Sequence, residues 1–454
     1  MNKKHIVPLV VSALFCLALS TGAMKGFATR AETLQGVVEK LDKDPEVTKK
    51  IDLSFPGQNQ EIDILKPNVV KFINAMHTQA QGIENDYILH NFYVRADNDE
   101  NNYGAKYSND TDKVRIDDYA KTSSESRSKN VTLVFDHSGF ASTDTFTLKY
   151  GQKSDLSDAV QVEGIKENFV TIDNLYSNAT YYWQISSGTT QSEIRSFKTK
   201  AGFRMITAPG VQNIRDMGGR DVEGNKRIKQ GLIFRGGELV NEDYTAAGST
   251  HSKTLYPESK RVLQEELGIK LEIDFRGGEE SNNISESPLK DDTHTDIEYM
   301  RIPNMPAYHY LLKKNKTAKA ENDELLWPMI KEMFLAFKNA NNKHVYFHCW
   351  GGADRTGTAG FLLGALLGMS WTDLVIDFEL TSFAGNYRPH YAIDSKKVYH
   401  FPHLLYQIYE GSYLEPFRSE GKHLKDIVAD YLIEYAGLTE QDITDIRNNL
   451  LEDK

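Results

Sequence analysis

The stretch from Val345 to Leu366 limits the possible folds more than any other part of the chain. Val345-Tyr346-Phe347 is apolar and strand-forming, Cys349 follows, a loop carries Gly351 and Gly352, and Arg355 opens a helix through Phe361, Leu362, Leu363, Ala365 and Leu366. An apolar strand that turns at once into an apolar helix is covered on both sides, the habit of a mostly parallel sheet flanked by helices. Beyond Gly202 the pattern recurs. Leu232-Ile233-Phe234, Leu271-Glu272-Ile273-Asp274-Phe275, Tyr299-Met300-Arg301-Ile302 and Val345-Tyr346-Phe347 read as buried strands. Helical stretches are expected around 257–267, 328–339, 355–368, 371–383, 423–436 and 439–451. Gly268 and Gly437 fall at expected helix C-caps, and Trp327-Pro328 reads as a helix start with Pro near its first position.

Between about 115 and 200 the period changes to short alternating strands: Val131-Thr132-Leu133-Val134-Phe135, Thr145 to Tyr150, Phe169-Val170-Thr171-Ile172, Tyr181-Tyr182-Trp183-Gln184-Ile185 and Ser196-Phe197-Lys198-Thr199. Leu175 and Tyr181 occupy the place of a tyrosine corner. Residues 113–200 therefore resemble a fibronectin type III domain, an all-β sandwich, and the expectation is a spacer or packing module without chemistry of its own. Residues 29–112 form an unassigned N-terminal region, with 29–60 read as a charged linker. Within it Val69 to Met76 can be helical and Tyr87 to Val94 extended. The run from Asp97 to Asn102 begins like a calcium loop, but Asn102 replaces the required Gly and Ser108 the required Glu, so no metal site is expected there.

The first 28 residues read as a secretory signal peptide: Lys3 and Lys4, an apolar run from Ile6 to Leu19, then small residues, with cleavage after Ala23 or Ala28. The run is short for a membrane span, so no stable span is expected after cleavage, and the protein is expected to be exported to the periplasm, cell surface or medium. Cleavage removes Cys16 and leaves Cys349 as a lone thiol with no internal disulfide partner. The chain carries 53 Lys and Arg against 64 Asp and Glu, a net charge of −11, which argues against a nucleic-acid partner.

The chemistry converges on His348-Cys349-Trp350-Gly351-Gly352-Ala353-Asp354-Arg355-Thr356-Gly357. Loop amides between a strand and a helix N-terminus make an oxyanion cradle. The same field favours a thiolate at Cys349, the form that attacks phosphorus. Arg355 offers a bidentate fork for phosphate oxygens, strengthening as charge builds in the transition state. Thr356 can donate toward the sulfur, His348 can brace the loop from the strand, and Asp354 is near enough to protonate a leaving oxygen.

His-Cys-x-x-Gly-x-Asp-Arg-Thr-Gly is the signature of cysteine-dependent protein tyrosine phosphatases, and the surrounding segments resemble the bacterial tyrosine and dual-specificity group. Asn213-Ile214-Arg215-Asp216-Met217-Gly218-Gly219 is similar to that group's Asn-Phe-Arg-Asp-Leu-Gly-Gly opening; Phe234-Arg235-Gly236-Gly237-Glu238-Leu239, Asp274-Phe275-Arg276 and Asp377-Phe378-Glu379-Leu380-Thr381-Ser382 resemble later segments. The resemblance covers about 205–452, within a phosphatase domain expected over 203–454. It implies phosphoester hydrolysis through a cysteinyl-phosphate, with no metal and no cofactor. Cys349 is then the nucleophile, Arg355 the phosphate clamp and Asp354 the acid, with Trp350, Gly351, Gly352, Ala353 and Thr356 lining the phosphate loop.

Asp274 is the competing acid, and with Arg276 it reads equally as a structural ion pair. Arg215 and Asp216 are expected to order the loop region. Tyr308, Tyr310, Tyr387, Tyr391 and Tyr399 are candidates for a substrate cleft. Members that accept phosphoinositides commonly carry Lys before the loop Asp, where this chain has Ala353, which favours a phosphorylated protein or peptide over a phosphoinositide partner. Two alternatives stay open: a phosphoinositide or inositol-phosphate phosphatase, and a phosphate-binding or adhesion protein acting through the fibronectin-like unit.

Overall fold

The computed structural model describes residues 48–80, 118–120, 126–239, 255–277, 284–303, 305, 323–384, 414, 417, 419 and 421–454. The signal segment, the run from 87 to 102 and the five candidate cleft tyrosines lie outside them.

The first part of the chain builds two facing sheets. Its elements are β1 (Lys50–Phe55), β2 (Gln60–Ile62), α1 (Pro67–Ala80), β3 (Val131–Ser138), β4 (Phe146–Gly151), β5 (Val160–Ile165), β6 (Phe169–Ile172), β7 (Thr180–Ser187), β8 (Thr190–Gln191) and β9 (Arg195–Thr199). One sheet runs β1-β3-β6, the other β2-β9-β7-β4-β5, with β8 beside β7. Alternation sorts the side chains: Val131, Leu133 and Phe135 of β3 meet Tyr181, Trp183 and Ile185 of β7 in one apolar core. At the corner before β7, the Tyr176 N–H donates to the Tyr181 hydroxyl at 2.9 Å.

The charged stretch from 29 to 60, expected to be a linker, contributes strands from residue 50 onward. Its signal is brief: Ile51 and Leu53 are buried while Lys50, Asp52 and Ser54 face water, a period-2 pattern confined to six residues. The helix anticipated at Val69 to Met76 forms as α1, which leaves the sandwich altogether. Val69, Phe72, Ile73 and Met76 join the core of the second part of the chain.

That second part contains β10 (Arg204–Met205), β11 (Arg215–Asp216), β12 (Asp221–Val222), β13 (Lys226–Ile228), β14 (Ile233–Gly236), α2 (Pro257–Arg261, continued by a π-turn over Val262–Glu266), β15 (Ile269–Asp274), β16 (Glu298–Arg301) and α3 (Asp323–Lys338). β17 (His344–His348), α4 (Arg355–Leu367), α5 (Trp371–Glu379, then a 3₁₀ turn Leu380–Ala384), α6 (Leu424–Glu434), α7 (Glu440–Leu450) and β18 (Leu451–Asp453) complete it. The main sheet has the order β10-β11-β14-β17-β15-β16. β14, β17, β15 and β16 are mutually parallel, and β11 joins β14 antiparallel. β17 buries both faces: Val345 and Phe347 meet the core shared by α3 to α7, while Tyr346 meets Phe234, Leu263 and Ile269 on the other side. The small sheet β12-β13-β18 ties the C-terminus back to the start of this unit.

Gly268 and Gly437 adopt φ of 65° and 70°, as helix C-caps require. Pro328 departs from expectation, since it lies inside α3 instead of opening it. A proline there forfeits one helical hydrogen bond. Trp327, packed on Tyr431 and Tyr435 at ring distances of 6.0 and 5.5 Å, holds the preceding turn in place. Among the described residues no helix is long and apolar enough to cross a membrane.

Replacing Tyr181 by Phe leaves the Tyr176 N–H without its acceptor; the expected loss is about 1–3 kcal/mol in a urea titration, and an unchanged midpoint would deny the corner a stabilising role.

Candidate active site

Cys349 stands just beyond β17, which has neighbours on both sides. Gly236 at the end of β14 and Asp274 at the end of β15 are both in register with His348. Three parallel strands thus end on one line, and groups beyond that line share one site.

The loop after Cys349 has its carbonyl groups tied back one after another. The Cys349 carbonyl accepts from His348 Nδ1 at 3.1 Å and that of Trp350 from the Glu238 N–H at 3.0 Å. Asn213 Nδ2 donates to the carbonyls of Gly351 and Gly352 at 3.2 and 3.1 Å, and Arg235 Nη2 donates to Gly352 at 3.0 Å. In a planar trans peptide the N–H points opposite to the C=O. Holding four successive carbonyls on the sheet side therefore aims the following N–H groups at the opposite side, where α4 adds its own unpaired amides. Gly352 has φ of 69°, and a Cβ there would fall 2.3 Å from the Gly236 carbonyl oxygen, so this glycine is required by the contact with β14. At Gly351 an added Cβ meets nothing within 4 Å.

Cys349 is a free, buried thiol. Burial pushes its pKa up, yet the charge of Arg355 and the polar groups of Thr356 beside the sulfur outweigh burial and the nearby Asp354, leaving it below the ordinary thiol value. Arg355 is partly buried, with Nη1 3.4 Å from the Phe275 carbonyl. Asp354 is also partly buried at the start of α4, and its carbonyl accepts from the N–H and hydroxyl of Thr358 at 2.8 and 2.9 Å. Trp350 is half-buried, while Ala353 and Thr356 are packed inside.

Two ionic clusters support the loop. In the first, His348 places Nε2 2.8 Å from Glu272, so both ring nitrogens face oxygen. Burial opposes a charge on this ring, but Asp274 and Glu272 override it and raise the pKa of His348. Asp274 accepts from Arg276 Nη2 and from the Tyr299 hydroxyl, both at 2.8 Å, and Arg276 also reaches Glu238 at 3.1 Å. Burial would raise the pKa of Asp274, but His348 and Arg276 bring it down to about 2. A carboxyl held ionised in this way is a poor proton donor, and the geometry is that of the ion pair with Arg276. Glu272, Asp274 and His348 have ligand-type atoms within 4.8 Å of one another. The guanidinium of Arg276 already occupies the Asp274 oxygens, so the cluster does not suit a metal ion.

The second cluster surrounds Asp377 of α5. Arg215 Nε and Arg220 Nη2 both lie 3.0 Å from its Oδ1, and Arg235 Nη1 bonds to its Oδ2. All four residues are buried. Burial alone would raise the pKa of Asp377, but the three guanidinium groups hold it far below the ordinary carboxylate range. Arg215 also donates to Asn213 Oδ1 at 2.6 Å, fixing the amide whose other end holds Gly351 and Gly352. Asp216, expected to act with Arg215, points to the opposite face of β11 and pairs with Arg204 at 2.9 Å.

Arg220 and Glu272 were not singled out by the sequence reading, and Asn213, Arg235, Glu238 and Asp377 entered only within similar segments. The signal for several of them was available: a charge set inside an apolar run, as in Leu271-Glu272-Ile273 and Ile376-Asp377-Phe378, needs a buried partner.

A family model described as "Tyrosine phosphatase family" matches residues 206–452. The chain belongs to the tyrosine phosphatase family. Among curated proteins, one from Cupriavidus necator, named provisionally as a tyrosine-protein phosphatase, is 26% identical over 178 residues, 37% of this chain and 59% of the relative. A tyrosine-protein phosphatase of Nostoc commune is 28% identical over 124 residues, 26% of this chain and 41% of the relative. The matches thus span less than two thirds of either relative. In this tyrosine phosphatase family member the family match starts after the sandwich and lies within the α/β unit.

Asp274 titrates in the fold near 2, below its ordinary 3.8, so its pairing stabilises fully above about pH 4 and is lost as pH falls through 2. Asp274→Asn should therefore flatten the loss of stability between pH 4 and 2, measured by chemical denaturation; an unchanged slope would remove the ion pair from that account.

Proposed function

We propose that this chain is an exported, cysteine-dependent phosphatase that hydrolyses phosphotyrosine in proteins or peptides. The observation that carries the reading is the combination of a buried thiol whose pKa Arg355 brings below its ordinary value with a loop whose carbonyls at 349–352 are all tied away from it. In the first step Cys349 Sγ forms a bond to phosphorus as the ester P–O bond breaks, and Asp354 gives its proton to the departing oxygen. Water then attacks phosphorus, Asp354 takes a proton from it, and the P–S bond breaks to return the thiolate with inorganic phosphate. Arg355 and the loop N–H groups hold the non-bridging oxygens through both steps. Asp354 is preferred as the acid because Asp274 is engaged by Arg276 and Tyr299.

Ala353 supports a singly phosphorylated protein or peptide over a phosphoinositide, since a cation at this position would draw further phosphate groups. We also read the sandwich as fibronectin type III-like, supported by its two-sheet order and the Tyr181 corner, and starting at residue 50 with the catalytic unit beginning near 203. Export rests on the signal-like first 28 residues.

Cys349→Ser should abolish turnover of a phosphotyrosine peptide while vanadate still binds; hydrolysis near the wild-type rate would end the covalent mechanism. Arg355→Lys should lower kcat about 10²-fold or more; an unchanged rate would remove its clamp role. Asp354→Asn should slow alkyl phosphates more than p-nitrophenyl phosphate, whose leaving group needs little protonation; equal losses would move the acid elsewhere.

A further inference from the structure

The contact between the sandwich and the α/β unit is polar, buried and centred on one side chain. Arg204, 2% exposed, donates from Nε to the Leu175 carbonyl at 3.2 Å and from Nη2 to the Asn174 carbonyl at 2.7 Å. Both carbonyls belong to the corner leading into β7. Its third nitrogen, Nη1, pairs with Asp216 of β11, and the guanidinium lies over the Tyr176 ring at 3.9 Å. Around it, Asn174 exchanges hydrogen bonds with the Thr207 backbone at 2.7 and 3.1 Å and reaches Glu266 at 3.1 Å. Gln230 is bonded to the N–H, hydroxyl and carbonyl of Ser177 at 2.8, 3.0 and 2.8 Å.

The same N-terminal region makes a second contact through α1. Phe72 packs on Phe383 at a ring distance of 5.8 Å, and His77 Nε2 is 2.9 Å from Asp373 of α5. These two contacts fall on two of the elements that carry the ion cluster behind the phosphate loop. β11 holds Asp216 toward Arg204 on one face and Arg215 toward Asp377 on the other. Helix α5 holds Asp373 toward α1 and Asp377 toward Arg215. Neighbouring residues on a strand face opposite ways, so a shift of β11 that loosens Arg204–Asp216 also moves Arg215. Arg215 in turn fixes Asn213, and Asn213 holds the carbonyls of Gly351 and Gly352.

We infer that the N-terminal sandwich with α1 is a fixed lobe of the catalytic unit, and that Arg204 is a positioning residue acting on the phosphate loop through β11. This rests on the phosphate-loop reading above. Of the spacer or packing role expected for the sandwich, this takes the packing one: the lobe holds β11 and α5 at the spacing that Arg215–Asp377 needs. Two discrete contacts thus reach one buried cluster through a contiguous network of hydrogen bonds and packed side chains, the kind of medium that carries coupling.

The test uses the full chain. Vanadate affinity, the pH profile of Cys349 alkylation by iodoacetate, and kcat and KM on p-nitrophenyl phosphate are measured for wild type and Arg204→Lys, with folding checked by circular dichroism. The expected result is a folded variant with vanadate binding about tenfold weaker, an alkylation midpoint moved toward free cysteine, and a loss mainly in kcat. A folded variant with all three unchanged overturns the inference, because a merely structural contact would alter only the denaturation midpoint. Should Arg204→Lys fail to fold, Asn174→Ala, which removes the bonds to Thr207 and Glu266 and leaves the catalytic groups untouched, is read by the same criteria. If wild type itself ignores vanadate and alkylates like free cysteine, the proposed function falls and this inference with it. Wild type that binds vanadate beside variants that bind it equally overturns the inference alone.

Discussion

A peptide group has two ends, and the structure depends on where one of them goes after β17. Four carbonyls from Cys349 to Gly352 are occupied by His348, the Glu238 N–H, Asn213 and Arg235. Without those donors the loop would be free to turn a carbonyl toward the sulfur, and a single inward oxygen would repel both a thiolate and a phosphate. The cradle is therefore made from behind. Its donors are side chains of β14, β17 and the segment before β11 and the backbone N–H of Glu238 just past β14, and those strands are held in line by the parallel sheet.

Such a support is costly to build, because it places three arginines in a dry interior against one aspartate. Unpaired charges there would destabilise by several kcal/mol, and like charges repel. The arrangement persists because every guanidinium also meets backbone or amide oxygen: Arg215 the carbonyls of Asn213 and Asp377, Arg220 those of Asp216 and Met217, Arg235 that of Gly352. The surplus positive charge of the cluster lies directly behind the anion cradle. On the other face of the sheet, Asp274 and Glu272 raise the pKa of His348 against its burial, so the electrostatics of the two faces converge on the same loop.

Much of this was legible in the sequence. The apolar strand, the two glycines and the apolar helix after Arg355 are local patterns, and they form as β17, the loop and α4. The alternating strands from Val131 to Thr199 were equally plain because each buries one face. β1 was missed because its pattern lasts six residues and is crowded by charge, and β5 because it is an exposed edge with little to bury. The roles of Asn213 and Asp377 were hidden for another reason: the loop carbonyls that Asn213 holds and the arginines that Asp377 pairs with lie more than a hundred positions away. Pro328 misled because proline preference describes helix ends, whereas Trp327 packing on α6 outweighs it here.

The position of α1 in the chain has a consequence for how the protein is made. This helix leaves the ribosome early, yet Phe72 packs on Phe383 and His77 meets Asp373, 296 positions further on. Until then Tyr119, 5.7 Å from the Phe72 ring, is there to cover part of the apolar stripe, and the rest waits. Part of that surface is buried only after most of the chain has been made, so the order of synthesis and the order of burial are inverted.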